Sequence, residues 1–286
     1  MLAEGFSESQ ATTMAAEDAS NPYPITMTDF YRMSKSGPAQ TYQVHYDYLI
    51  KSGMSKEKAG ELVGPTKCFV AGTKVATHNL TKNIELIKVG DRVLTFSKLS
   101  DSNITLSDWR KLILYAEVFN GVFVDKIYVE TLVPVTFIEN KIKVGSVISP
   151  IDDLLKMGYS NSLKLEVLAI NKCPNIQEGI GRVVLTTTQK FSNQLIKLKF
   201  VNNGNTEEVY STPLHRFYSK NRGWISISQG GSYEEFETLN GVVFMESSEI
   251  LNKKDKVYNI VPEAEFEFYI GKEKLRVNSF LNMPNE

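Results

Sequence analysis

The chain has 286 residues, which is enough to bury a full hydrophobic core in one large domain or two smaller ones. Its 32 Lys and Arg residues balance 33 Asp and Glu residues, so it lacks the basic surplus of most nucleic-acid-binding proteins. No apolar run reaches the roughly 18 residues that a membrane-spanning helix needs. We therefore expect neither a nucleic acid nor a membrane as a partner.

The first part of the chain, 1–67, is predicted to be a flanking segment with a disordered start and a helical remainder. Residues 1–25 are rich in Ser, Thr, Ala and Glu, and they lack the basic start and apolar stretch of a signal peptide. Any export signal would therefore lie outside this chain, and the localisation stays open. From Thr28 to Gly64 the apolar residues fall near helical spacing, with a last short helix at Lys56–Val63.

After Cys68 the periodicity changes to short strands separated by turn residues. One helix is predicted at Pro150–Met157, where Asp152 and Asp153 suit the first turn. Together these elements predict a mainly β domain of the sandwich or barrel kind. The predicted strand runs are Val122–Phe137, Lys141–Ile148, Leu163–Ile170, Arg182–Thr187, Leu195–Val201, Val242–Glu246, Lys256–Val261 and Phe266–Ile270.

The first strand-like run begins with a cysteine and reads Cys68-Phe69-Val70-Ala71-Gly72-Thr73-Lys74-Val75. A polar turn at Thr77–Lys82 follows, and then a second run, Ile84–Leu94, which contains a Gly-Asp turn. This order resembles the start of the Hint domain, the self-cleaving β-rich fold of inteins, hedgehog processing domains and bacterial intein-like and pretoxin modules. The resemblance implies a Hint domain over 68–278, with a strand-rich subdomain inserted at about 101–181 and a short C-terminal flank, 279–286.

The resemblance also implies that the chain acts on its own flanking segments. The thiol of Cys68 would attack the carbonyl carbon of Lys67, which converts the Lys67–Cys68 peptide bond into a thioester. Proximity favours this step because the nucleophile adjoins its target in the chain. An external thiol or amine, or water, could then open the thioester. Neither a cofactor nor a metal is implied, and with only three His residues in the chain no cluster has metal-ligand spacing.

A second motif, Ser211-Thr212-Pro213-Leu214-His215-Arg216-Phe217-Tyr218, precedes Gly223-Trp224. It resembles the Thr-x-x-His element of Hint domains, in which the histidine contacts the scissile amide and the threonine helps to hold it. Imidazole suits this task because it can donate a proton near neutral pH. Thr212 and His215 are therefore candidate catalytic residues.

The end of the predicted domain resembles the closing strands of the family, but with substitutions. Such domains usually end in His-Asn before Cys, Ser or Thr, and the asparagine cyclises to cut the chain. Here Asn278 and Ser279 stand in these places, but Val277 takes the histidine position. Asn259 replaces a common aspartate or cysteine, and Phe266 stands near a usual histidine. The sequence therefore favours N-terminal cleavage over full splicing, with slow cyclisation of Asn278.

Two other functions remain open from the sequence. The chain could be a catalytically impaired Hint fold that serves as a structural or interaction module, or a cysteine hydrolase that acts in trans through Cys68 and His215. In pretoxin proteins the Hint domain releases a toxin that follows it in the chain. By this resemblance, either the present chain comes from a larger bacterial protein, or the released partner is the segment on its N-terminal side. The remaining candidates, Cys173, His45 and His78, are interpreted as a loop, a helix-packing and a turn residue.

Overall fold

The computed structural model describes residues 67–78, 80–97, 104–119, 124–139, 141–159, 163–192, 195–251, 253–264 and 266–280. The predicted disordered start and the predicted helices between Thr28 and Gly64 lie outside the described residues. His45 lies outside them as well.

The described residues form mainly β-strands, which confirms the predicted class. Neither α-helix among them, α1 at Val135–Ile138 and α2 at Asp152–Lys156, is long and apolar enough to cross a membrane. The strands are β1 Phe69–Val70, β2 Lys74–Ala76, β3 Thr81–Asn83, β4 Arg92–Val93, β5 Trp109–Phe119, β6 Val124–Pro134, β7 Val147–Ile148, β8 Leu165–Lys172, β9 Arg182–Ser192, β10 Leu195–Asn202, β11 Asn205–Ser211, β12 Arg216–Ser219, β13 Gly223–Ser226, β14 Glu235–Thr238, β15 Gly241–Leu251, β16 Asp255–Pro262, β17 Glu267–Ile270 and β18 Leu275–Asn278.

The structure corrects several element predictions. The second run of the opening motif starts with a 3-10 helix, Ile84–Leu86, and not with a strand. The predicted strand over Val122–Phe137 ends at Pro134, where α1 begins, because proline cannot donate to the strand ladder. Lys141–Ile148 is a strand only in its last two residues. The predicted helix at Pro150–Met157 is confirmed as α2.

The sheet pairings among the described residues are antiparallel, and the two-residue strand β1 has a central place in them. The residue Phe69 of β1 pairs with Ser211 of β11 on one side and with Tyr258 of β16 on the other. On its far edge β16 pairs with β9 along nearly its whole length. Strand β12 pairs with β18, so the Thr-x-x-His segment lies beside the closing segment.

Two large hydrophobic cores lie under this sheet. One is built from the strands at both ends of the predicted Hint domain and contains Phe69, Phe217 and Val277. The other contains residues of β5, β6, β8 and α2, including Leu112 and Leu165. This second core also contains Val261 of β16, so the region expected as an insertion shares its core with the closing part of the chain.

Two glycines allow chain segments to meet. Gly72, in the turn between β1 and β2, has a φ of +86°, which favours glycine over residues with a side chain. A Cβ atom at Gly181 would lie 2.3 Å from the backbone oxygen of Val93, so this position admits only glycine if β4 is to approach β9.

Candidate active site

Strand β1 holds Cys68 inside the protein, immediately before its first paired residue. The side chain of Cys68 is 2 % exposed and packs with Leu195 of β10 and Val257 of β16. Burial raises the pKa of the Cys68 thiol to about 11, although the positive charge of Lys190 acts in the opposite direction. At neutral pH the group is therefore a thiol and not a thiolate.

Thr212 makes a reciprocal pair of hydrogen bonds with Cys68. The Cys68 backbone N–H, which belongs to the Lys67–Cys68 peptide bond, donates to Thr212 Oγ1 at 2.8 Å. In return the Thr212 N–H donates to the Cys68 carbonyl at 2.9 Å. The Ser211 hydroxyl lies 3.3 Å from the same carbonyl oxygen. The backbone of Cys68 is thereby fixed on both sides of its Cα atom.

A tight turn explains the spacing between Thr212 and His215. The His215 N–H donates to the Thr212 carbonyl at 3.1 Å, which closes a four-residue turn. Pro213 occupies the second position of this turn, where its fixed φ is favourable. The threonine and the histidine are thus presented together at the end of β11.

His215 lies in an apolar, fully buried position. Its ring centroid is 4.0 Å from that of Phe69, the residue that follows Cys68. Burial first, and then the charge of Lys67, holds the pKa of His215 well below 6.5. The Lys67 backbone raises the pKa of His215 and so partly offsets these two effects. Neither ring nitrogen of His215 has a hydrogen-bond partner among the described residues. His215 is therefore neutral at pH 7.

Lys67, on the other side of the scissile bond, is also buried, with 3 % of its surface exposed. Burial and the neighbouring charge of Arg216 hold the pKa of its amine well below 10.5. Its Nζ atom has no hydrogen-bond partner among the described residues. The residue before Cys68 is thus part of the packed interior.

The closing residues Asn278 and Ser279 lie beside the Thr-x-x-His segment. Asn278 is opposite Arg216, the residue after His215, in the β12–β18 pairing. Its side-chain oxygen accepts a hydrogen bond from the Phe280 N–H at 2.6 Å. The Ser279 hydroxyl lies 2.8 Å from Asn259 Oδ1, so the predicted supporting residue Asn259 does contact the end of the motif.

Val277 belongs to the hydrophobic core. It is opposite Phe217 on β12 and Phe268 on β17, and none of its surface is exposed. Phe266 contributes its backbone carbonyl, which accepts a hydrogen bond from the Ser279 N–H at 2.9 Å. Neither residue therefore supplies a side-chain proton donor or acceptor to this region.

The chain is structurally similar to several inteins and intein-like domains. One is the bacterial intein-like domain from Clostridium thermocellum, with 18% identity and a TM-score of 0.42 over 74% of this chain and 99% of that one. Others are the TvoVMA intein, with 11% identity and a TM-score of 0.37 over 75% and 98%, and the gp41-1 intein, with 13% identity and a TM-score of 0.36 over 74% and 98%. No family model and no curated protein sequence matches the chain. The function is therefore argued from the residues of this chain.

Two residues of the site were not predicted from the sequence. Ser211 contacts the Cys68 carbonyl, and its place directly before Thr212 was the available signal. Lys190 affects Cys68 from β9, a strand that was predicted to end at Thr187. Among the described residues no three His, Cys, Asp or Glu side chains lie together as a metal site would require, and Cys68 and Cys173 are both free thiols.

Proposed function

We propose that this chain is an autocatalytic self-processing domain in which Cys68 attacks the carbonyl carbon of Lys67. The observation that carries the proposal is the 2.8 Å hydrogen bond from the Cys68 N–H to Thr212 Oγ1. That N–H belongs to the bond to be broken, and its partner comes from the motif that the sequence identified independently. A buried threonine hydroxyl that accepts from this N–H holds the scissile amide in place, which is the role that the motif resemblance implies for Thr212.

The Thr212 contacts support the shift by restricting the reacting geometry. A peptide bond is planar and stable, so it reacts at a useful rate only when the nucleophile is held in line with its carbonyl. Thr212 holds the Cys68 backbone through both its N–H and its C=O. With the backbone fixed, rotation about the Cα–Cβ bond is the main freedom left to the sulfur.

We assign the proton transfer to His215, the histidine of the Thr-x-x-His motif, whose pKa is influenced by Lys67. The Cys68 thiol is protonated at neutral pH because its pKa is raised to about 11, and His215 is neutral because its pKa is lowered. In the proposed step, a neutral imidazole accepts the thiol proton while the sulfur bonds to the Lys67 carbon. The carbon–nitrogen bond then breaks, and the imidazolium returns the proton to the leaving nitrogen. The products are a Lys67 thioester on Cys68 and a free amine at Cys68.

Hydrolysis of this thioester, or its attack by an external thiol or amine, would release the segment that ends at Lys67. Full splicing would additionally require transfer to Ser279 and cyclisation of Asn278. The apolar environment of Val277 and the hydrogen bond that occupies Asn278 Oδ1 argue against a fast last step. N-terminal cleavage is thus the main activity that we propose, with slow cyclisation of Asn278.

The burial of the site favours action in cis over hydrolysis of an external substrate. Cys68 is 2 % exposed, and none of the surface of His215 is exposed. A second chain would have to open the fold before it reached the sulfur. The Lys67–Cys68 bond is already there.

The proposal is tested by incubating the purified chain with dithiothreitol at neutral pH and measuring its mass over time. We expect loss of the segment 1–67 as a thiol adduct from the wild type and from Cys173→Ser, which keeps the nucleophile. Cys68→Ala should remain intact. An unchanged mass for a folded wild-type chain would refute the proposal and leave a silent Hint-like domain as the alternative.

A further inference from the structure

Strand β9 carries a lysine on its buried face. Lys190 is only 5 % exposed, and it alternates with the buried residues Thr188 and Ser192. Lysine is among the residue types that are rarely buried to this extent, because its charge is costly to remove from water. Its position therefore needs a reason within the fold.

The strand register places Lys190 on the same face as the proposed nucleophile. Lys190 is opposite Val257 on β16, and Val257 is opposite Val70 on β1. Directly opposed residues of antiparallel strands share a face, and residues two apart on one strand do so as well. Cys68 stands two residues before Val70 and packs against Val257. Strand β16 lies between the strand of the lysine and that of the cysteine, and Cys68 is two residues along the chain from the row that contains Lys190.

The next row of the same face is polar and incompletely hydrogen-bonded. Thr188 is opposite Asn259 across β9 and β16. Thr188 Oγ1 and Asn259 Nδ2 are both buried and have no hydrogen-bond partner among the described residues. Buried polar atoms without a hydrogen-bond partner are few in native proteins. Two of them in one row indicate that a hydrogen-bond acceptor forms beside them during the reaction. Both atoms can donate a hydrogen bond.

We propose that Lys190 stabilises the negative charge that develops on the Cys68 sulfur as the thiol loses its proton, before the sulfur bonds to the Lys67 carbon. This inference rests on the proposed function and adds to it an electrostatic residue outside the sequence motifs. A cation held in a buried site interacts strongly with charge in the transition state, because little water screens it. Thr188 and Asn259 lie beside it as donors on the same face.

The other basic groups near the scissile bond are Lys67, His215 and Arg216. Burial holds the pKa of His215 well below 6.5, so its imidazole is neutral at pH 7, and the charge of Arg216 acts on Lys67. The charge that lowers the pKa of the Cys68 thiol is that of Lys190. Removing this charge should therefore make the thiolate harder to form, whether or not the chain is cleaved.

The test measures how fast iodoacetamide alkylates Cys68 in a Cys173→Ser background. Rates are read by mass spectrometry on peptides that span Lys67 and Cys68, over a range of pH around 8.5. Since a rise of one pKa unit lowers the thiolate fraction about tenfold, we expect Lys190→Met to reduce the rate about threefold or more. Lys190→Arg, which keeps the charge, should stay within about twofold of the wild-type rate.

An alkylation rate in folded Lys190→Met equal to the wild-type rate at every pH would overturn the inference. Lys190→Gln makes the same comparison if Lys190→Met does not fold, and circular dichroism checks each variant. Because alkylation does not require cleavage, the two proposals can fail separately. If Lys190→Met slows alkylation but no variant is cleaved, the effect of Lys190 on the thiol stands and self-processing is refuted. If Lys190→Met leaves alkylation unchanged and the wild-type chain is cleaved, self-processing stands and the role of Lys190 is refuted.

Discussion

The hydroxyl of Thr212 lies 2.8 Å from the backbone nitrogen of Cys68, although the two residues are 144 positions apart in the chain. The contact depends on β1, whose Phe69 pairs with Ser211 at the end of β11. Because Thr212 follows Ser211 directly, the strand register itself delivers the hydroxyl to the scissile amide. The site is therefore part of the sheet and does not depend on a mobile loop.

Thr212→Val should slow cleavage and destabilise the fold, because it keeps the shape of the side chain and removes the oxygen that accepts from the Cys68 N–H. A buried donor left without a partner costs about 1–3 kcal/mol of unfolding free energy. Thr212→Ser keeps the hydroxyl and should retain most of both properties. Cleavage is followed by mass and stability by urea unfolding. Cleavage by Thr212→Val at the wild-type rate would show that the hydroxyl plays no part in the reaction.

Val277→His, which restores the histidine usual in the family, should not speed cleavage after Asn278. The side chain at this position lies between Phe217 and Phe268, where an imidazole would be buried in an apolar core. We expect a loss of about 1–3 kcal/mol of stability relative to Val277→Leu, an apolar control of similar size to histidine. The two variants are compared by urea unfolding and by mass. A new fragment that begins at Ser279 in Val277→His would contradict this interpretation of the core.

The Asn278–Ser279 bond should outlast the Lys67–Cys68 bond in the wild-type chain. Asn278 Oδ1 already accepts the Phe280 N–H at 2.6 Å, which holds the carboxamide in a turn that cyclisation must disrupt. Asn278→Ala should consequently leave the rate of N-terminal cleavage within about twofold of the wild type, since the residue takes no part in the first step. A time course by mass spectrometry follows both bonds at once. Equal rates of scission at the two bonds would show that this hydrogen bond does not restrain Asn278.

The stability of the wild-type chain should fall between pH 9 and pH 11 by more than that of Cys68→Ala. The folded thiol has a pKa raised from 9.0 to about 11, so its stabilising contribution is complete below pH 9 and is lost as the pH rises through 11. Two pKa units correspond to at most about 3 kcal/mol. Urea unfolding at pH 8 and pH 10.5, on chains verified intact by mass, measures how far the unfolding free energy of each chain falls. Lysines and tyrosines titrate in both chains, so their contribution cancels when the two losses are compared. Parallel losses in the two chains would mean that the thiol is not perturbed by burial.

The motifs that could be predicted from the sequence are those formed by local chain order. Cys68 opens a strand, and Thr212 to His215 form a turn whose proline fits only a few positions. Both follow from residues that are close together in the chain. That the two segments meet is implied by the family resemblance and not by either segment alone.

Other features depend on register between distant strands, which no single sequence encodes locally. Lys190 follows three consecutive threonines and Gln189, so the sequence offers no sign that its side chain faces the interior. Only the pairing of β9 with β16 gives it that direction. The Ile84–Leu86 segment is similar, since its apolar ends fit a strand or a 3-10 turn equally well.

Trapping the Lys67 carbonyl with hydroxylamine tests the proposed attack of Cys68 most directly. The folded wild-type chain is incubated with hydroxylamine at neutral pH beside Cys68→Ala and Cys173→Ser, and the products are identified by mass spectrometry. A thioester at this bond predicts a fragment 1–67 that ends in a Lys67 hydroxamate, from the wild type and Cys173→Ser but not from Cys68→Ala. Absence of the hydroxamate from the folded wild-type chain, or its formation in Cys68→Ala, would contradict the proposed attack of Cys68 on Lys67.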